Sequence, residues 1–227
     1  MHYYDRNAIS GWLTITPSCI RRLAPATGAM RRQGMKMRYE KGHKDLTRQR
    51  IIDVASGQFR AHGVAAAGLA GIMTEAGLTN GAFYAHFSSK EDLVRAVLCN
   101  ALNRREQTLR AAAERENGLE ALIRDYLSPR HRDDPGGGCP TAAMVAEIAR
   151  HPKQTRDAFT GKIGAFIELI AAQVGEGSPR ARRKTAIAVY GMMVGTLQLA
   201  RAVNDKRLSD EILAGGVNAA LMLAGAQ

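Results

Sequence analysis

Apolar residues recur at steps of three and four along most of the chain beyond residue 44, the spacing of one buried helix face. Leu46, Ile51, Ile52, Ala55 and Phe59 form the first stripe and predict a helix over Asp45–His62, ended by Gly63. Leu69, Ile72, Met73 and Ala76 repeat the pattern over a shorter length, up to Gly77. Leu78 can plug the corner that follows. Thr79 suits the N-cap of a second short helix, Asn80 to about Phe87, with Phe83 and Phe87 on its buried side. Ser88 and Glu91 have the spacing of a capping box and open a long helix, from Ser89 to about Glu116. That helix carries Leu93, Val97, Leu98, Leu102 and Leu109.

The pattern continues to the C-terminus. Gly118 breaks the long helix, and Leu119–Leu127 reads as a short amphipathic one ending at Ser128-Pro129. Residues 129–140, PRHRDDPGGGCP, have the composition of a loop, and TAAMVAEIARH then makes a short apolar helix. From Pro152 to about Val174, Phe159, Ile163, Phe166, Ile170 and Val174 mark one buried stripe. After Gly175 and Gly177, Pro179 opens a helix whose apolar positions are Ala186, Tyr190, Met193, Leu197 and Ala200. Gly191 and Gly195 on it predict close helix approach. Ser209 to about Leu223 is the last helix, with Ile212, Leu213, Val217, Ala220 and Leu221. The alternating Val/Ile/Thr runs of strands are missing, so the expected fold is all-α.

Residues 1–36 fit no period: Trp12, Leu13 and Ile15 form a brief apolar patch interrupted by Pro17 and Pro25. The expected organisation is an extension over 1–44, disordered or preceding the natural start, then a unit over 45–92 and another over 93–227. Met1, Met35 and Met37 are the competing starts. The extension lacks the order of a secretory signal, and no apolar run reaches the roughly 18 residues of a membrane span. Three cysteines, Cys19, Cys99 and Cys139, are odd in number and widely spaced. A disulfide framework is therefore not expected, and a reducing cytoplasm is the simplest setting.

Charge adds a direction. The net charge is +11, from 32 Lys/Arg and 21 Asp/Glu. Residues 1–91 carry 13 basic against 6 acidic side chains (+7), and residues 92–227 carry 19 against 15 (+4). The N-terminal part is the more basic per residue, as suits phosphate binding, although a merely solvated basic surface has the same composition.

Helix, glycine turn, helix is the helix-turn-helix arrangement, whose second helix enters the DNA major groove. EAGLTNGAFYAHFSSKEDL resembles the signature of the TetR/AcrR family of bacterial transcriptional regulators, through Gly77, Tyr84, Phe87, Lys90 and Leu93. Met73 stands where that family more often has alanine. The resemblance implies a three-helix DNA-binding domain followed by a helical ligand-binding and dimerisation domain. It also implies a repressor that binds a palindromic double-stranded DNA operator as a homodimer and leaves it on taking up an effector. Thr47 and Arg48 would approach the DNA backbone, with a solvated helix end the other reading for Arg48. Tyr84, His86 and Lys90 would contact phosphates. GCPTAAMVAEIARHP further resembles a segment of the subgroup described as LmrA/YxaF-like.

Within the second helix, Gly81, Ala82 and Ala85 offer no polar side-chain group, which leaves Asn80 to read a base and Thr79 and Ala82 to touch a thymine methyl. So few base-reading groups make DNA shape part of the selectivity. For the effector, Tyr126, Met144, Phe159, Phe166, Tyr190 and Met193 would line an apolar cavity and suggest a small hydrophobic molecule; each also reads as plain core. Cys139, beside a glycine run and a helix start, is a candidate thiol or electrophile sensor, or a small buried residue. No phosphate loop, nucleophile elbow, zinc spacing or histidine pair nominates an enzyme, a metal or a cofactor. A helical adaptor without regulated DNA binding is the remaining alternative.

Overall fold

The computed structural model describes residues 33–225 except Glu116, with side chains from Gly42 onward. Expectations for residues 1–32 lie outside the described residues. Among the described residues ten helices follow in order: α1 Gln33–His62, α2 Leu69–Glu75, α3 Asn80–Phe83, α4 Lys90–Ala113 and α5 Gly118–Tyr126, then α6 Pro129–Asp133, α7 Pro140–Ile148, α8 Lys153–Ala171, α9 Pro179–Ala202 and α10 Lys206–Ala224. The described residues contain no strand, as the all-α pattern requires.

Several boundaries differ from expectation. α1 begins at Gln33, twelve residues before Asp45, and Leu46, expected on the buried face, is 73% exposed. α3 ends at Phe83 rather than Phe87, and the chain continues as a turn in which the His86 and Phe87 amides both reach the Phe83 carbonyl. α6 occupies part of the expected loop, with Pro129 at its start and the Ser128 hydroxyl capping the His131 amide. α10 starts at Lys206, where the Asp205 carboxylate accepts from the Arg207 and Leu208 amides. Ser209, expected to open α10, is instead buried and donates to the Ala200 carbonyl at 2.7 Å.

One continuous apolar core runs through the molecule. At one end α1, α2 and α3 close over Phe59, Ile72, Met73, Phe83 and Phe87. Met73 is fully buried, so the larger side chain at this position is accommodated. α4 packs on α1, α5, α7 and α8 and so connects both ends. α6 is pinned to α10 by Arg132, whose guanidinium reaches Ser209 at 2.9 Å and Asp210 at 2.5 Å.

α9 and α10 form the most extensive helix pair. Their close approach depends on Gly216, where an added Cβ would stand 2.4 Å from Thr196 Cγ2 and 3.0 Å from its Cβ. Rotating Thr196 does not move its Cβ, so Gly216→Ala is expected to cost about 1–3 kcal/mol of stability. Urea unfolding checks this, and Thr196→Ala in the same chain should recover part of the loss. Gly191 and Gly195 take no part in the close approach of α9 to α10, because an added Cβ at either meets nothing within 4 Å. They lie on an uncovered side of α9 with Ile187 and Leu199, while Leu208 and Met222 are exposed on α10.

Candidate nucleic-acid interface and effector region

The glycine turn that aims α3 has a simple cause. Gly77 adopts φ +68°, a left-handed conformation that a Cβ disfavours, and its amide bonds back to Thr74 while Leu78 bonds to Met73. The Arg50 guanidinium adds a 3.4 Å contact to the Ala76 carbonyl at the end of α2. Thr79 holds the N-cap position with extended backbone but makes no side-chain cap bond, so the expected capping role is not performed.

Asn80, Gly81 and Tyr84 face solvent along one side of α3 and its following turn; Tyr84 is 71% exposed. On the opposite side Phe83 and Phe87 are buried and stacked with centroids 5.5 Å apart. Ala82 is half-buried between these faces. Beside them on α1, the Arg48 guanidinium lies 4.8 Å from the centre of the Phe87 ring, and the Thr47 hydroxyl donates to the His43 carbonyl at 2.9 Å. Arg48 is therefore positioned by an aromatic face rather than loosely solvated. His86 is half-buried, and its Nδ1 has no hydrogen-bond partner among the described residues. Burial, then the charges of Lys44 and Arg48, lower its pKa.

Lys90 is placed differently from its neighbours. It is half-buried, and its ammonium donates to the Val64 carbonyl at 2.7 Å, so a phosphate contact would require exchange of that bond. Ser89, not Ser88, caps α4 by accepting from the Asp92 amide. The Asp92 carboxylate accepts from the Ser88 amide, and this bond is the main reason its pKa is lowered. Glu91, expected in the capping box, instead accepts from Thr155 at 2.5 Å and lies 2.9 Å from His151 Nδ1. The Val64 amide donates to Glu147 of α7 at 2.7 Å. These links between the N-terminal helices and α7–α8 join residues 60 to 83 positions apart, and no local pattern announces them.

Of the six expected cavity residues, Tyr126, Phe166, Tyr190 and Met193 come together around an apolar gap. Met144 is buried elsewhere and Phe159 is half-buried against the core. The gap measures only about 10 Å³, room for about one water. Phe166 stacks on Tyr190, whose hydroxyl donates to Thr141 at 2.9 Å. The Tyr126 hydroxyl is buried without a partner among the described residues, and burial raises the pKa of both phenols. Cys139 borders the same gap at 2% exposure, its amide donating to His131 Nε2 at 2.8 Å. Among the described residues, no group of His, Cys, Asp and Glu is arranged to hold a metal ion, and no helix is long and apolar enough to cross a membrane.

A glycine-turned helix pair, with its aromatic side inward and its polar side outward at one end of a helical body, defines a helix-turn-helix protein. Residues 51–97 match the model of bacterial regulatory proteins of the tetR family, and residues 112–215 match the tetracyclin repressor-like C-terminal domain. The chain belongs to the TetR family of transcriptional regulators, which are not enzymes. It is 38% identical over 86 residues to the HTH-type transcriptional regulator TtgR of Pseudomonas putida. That match covers 38% of this chain and 40% of TtgR. The fold is similar to that of reduced E. coli NemR, with a TM-score of 0.65 at 20% identity, covering 77% of this chain and 94% of NemR. A TetR-family regulator from Cytophaga hutchinsonii gives a TM-score of 0.66 at 21% identity, covering 81% and 96%.

Proposed function

We propose that the protein binds double-stranded DNA as a homodimeric repressor, lays α3 in the major groove of each half of a palindromic operator, and is released by a small effector. The observation that carries this reading is the division of α3. Asn80, Gly81 and Tyr84 are exposed while Phe83 and Phe87 anchor the helix from beneath. Asn80 supplies the base-reading amide, the bare surface at Gly81 admits close approach to the groove, and Thr79 and Ala82 are the thymine-methyl contacts. Tyr84, His86, Thr47 and Arg48 supply backbone contacts, with Lys90 joining them on exchange of its Val64 bond.

The uncovered side of α9 and α10, with Ile187, Leu199, Leu208 and Met222 exposed and open space at Gly191 and Gly195, supports dimerisation there. A twofold pair would present two α3 helices to two half-sites. Selection of genomic fragments by the purified protein tests the reading. The expected product is a palindromic site bound by one dimer, with an affinity that falls steeply as salt rises. Retention of no sequence above background would sink it and favour the helical adaptor.

Release by an effector requires that the two ends of the molecule move together. Glu147 on α7 holds the Val64 amide in the α1–α2 connection, and Val64 is 5% exposed. Glu147→Ala would strand that buried amide, with an expected cost of about 1–3 kcal/mol. Glu147→Gln keeps an acceptor and should recover most of the loss, as read by thermal melting. The thiol-sensing alternative meets a barrier in the burial of Cys139. It predicts that N-ethylmaleimide lowers operator affinity in the native chain and leaves Cys139→Ser unaffected.

A further inference from the structure

A cleft of about 380 Å³ lies where α1 meets α4, α5, α6 and the glycine run before α7, and its size is that of a small-molecule site. Four arginines line it, Arg60, Arg104, Arg105 and Arg130, against two carboxylates, Asp125 and Asp134. The outer pair is already matched: Arg104 binds Asp53 at 2.8 Å with its side chain 62% exposed, and Arg130 binds Asp125 at 2.5 Å with its side chain 80% exposed.

The inner pair is not matched to acids. Arg60 is half-buried and donates to two neutral oxygens, the Gly136 carbonyl at 2.5 Å and the Ser56 hydroxyl at 2.9 Å. Burial lowers its pKa, an effect that the charge of Asp134 partly offsets. Arg105, also half-buried, lies 5.3 Å from the centre of the Tyr126 ring and forms no ion pair among the described residues. The nearby Glu106 is taken by Arg110 and Lys162. His131 adds no negative charge: Nε2 accepts from the Cys139 amide while Nδ1 lies 2.7 Å from the Tyr126 carbonyl, the bonding of a neutral ring.

Cations drawn partly out of water without a carboxylate retain a desolvation cost that a bound oxyanion relieves, and guanidinium is shaped to bind carboxylate or phosphate in two-point fashion. We propose that this cleft binds a small organic anion, a carboxylate or phosphate monoester, with its oxyanion held by Arg60 and Arg105. Arg105 also borders the apolar gap beside Tyr126, so an aromatic or alkyl body on the anion has an apolar wall to meet. Arg60 lies on α1 and its partner Gly136 lies in the segment between α6 and α7, so an occupant displaces or reinforces a bond between the two ends of the protein. A consequence for DNA affinity rests on the DNA-binding reading; occupation of the cleft does not.

The test uses the full chain free of DNA, titrated calorimetrically with benzoate, inorganic phosphate and neutral benzamide. The expected result is saturable binding of benzoate or phosphate, with benzoate alone assigning a carboxylate and phosphate alone a phosphate ligand. Benzamide should not bind. Arg105→Gln and Arg60→Gln should each weaken the anion about tenfold or more, since each removes one charge-assisted contact. Arg207→Gln, at an exposed pair with Glu211 on α10, should change nothing. If Arg105→Gln melts out, Arg60→Gln carries the comparison alone. Saturation by neither anion, equal binding of benzamide, or native affinity in a folded inner-arginine variant overturns the proposal. Because no DNA is present, failure here is separable from failure of operator binding.

Discussion

Replacing Phe83 by alanine is expected to destabilise the protein by about 3–5 kcal/mol, the range for removing a buried aromatic ring. Phe83 is 1% exposed, stacked on Phe87 and edge-on to Tyr84 with centroids 5.2 Å apart. α3 spans only four residues, too few to be stable by its own hydrogen bonds, so its position comes from the ring beneath it. The cavity left by alanine cannot be refilled from α3, whose other residues are the exposed Asn80 and Gly81 and the small Ala82. Urea unfolding followed by circular dichroism gives the loss directly. Phe83→Leu, which keeps most of the volume, should cost under about 1.5 kcal/mol. Equal losses in the two variants would show that the ring does not anchor the helix.

Asn80→Asp separates recognition from stability. The two side chains have nearly the same shape, and Asn80 is exposed in the first turn of α3, where a carboxylate is tolerated or mildly favoured by the helix N-terminus. The melting temperature should therefore hold. Operator affinity should not. A carboxylate loses the amide donor that pairs with a base and brings a negative charge among phosphates, so a loss of about 1–3 kcal/mol is expected, roughly ten- to a hundredfold in affinity. Fluorescence anisotropy on the selected operator measures it. An unchanged affinity would remove Asn80 from the reading face.

The part of the fold that the sequence reveals is the part made by neighbours. Gly77 is where a left-handed residue has to be, and the helical step from Phe83 to Phe87 puts two rings beneath an exposed Asn80 and Tyr84. Positions that depend on distant chain are less legible. Lys90 is expected on a phosphate until the fold brings the Val64 carbonyl to it, and Glu91 reads as a cap until Thr155 and His151 arrive. Periodicity correctly marks Tyr126, Phe166, Tyr190 and Met193 as inward-facing. It cannot tell a filled interior from a hollow one, since both need the same apolar side chains. The arginine cleft escapes for the opposite reason: residues from several helices look like solvated surface until they are assembled.

Val64 carries two grips on its main chain, the amide held by Glu147 and the carbonyl held by Lys90. Side-chain replacement at that site leaves both atoms in place. A saturation library at position 64 should thus tolerate other aliphatics, lose polar and charged residues to burial, and lose proline for a separate reason, since it alone deletes the donor. In such a library, the bridge from Glu147 to Lys90 would look insensitive to which aliphatic residue supplies its main chain.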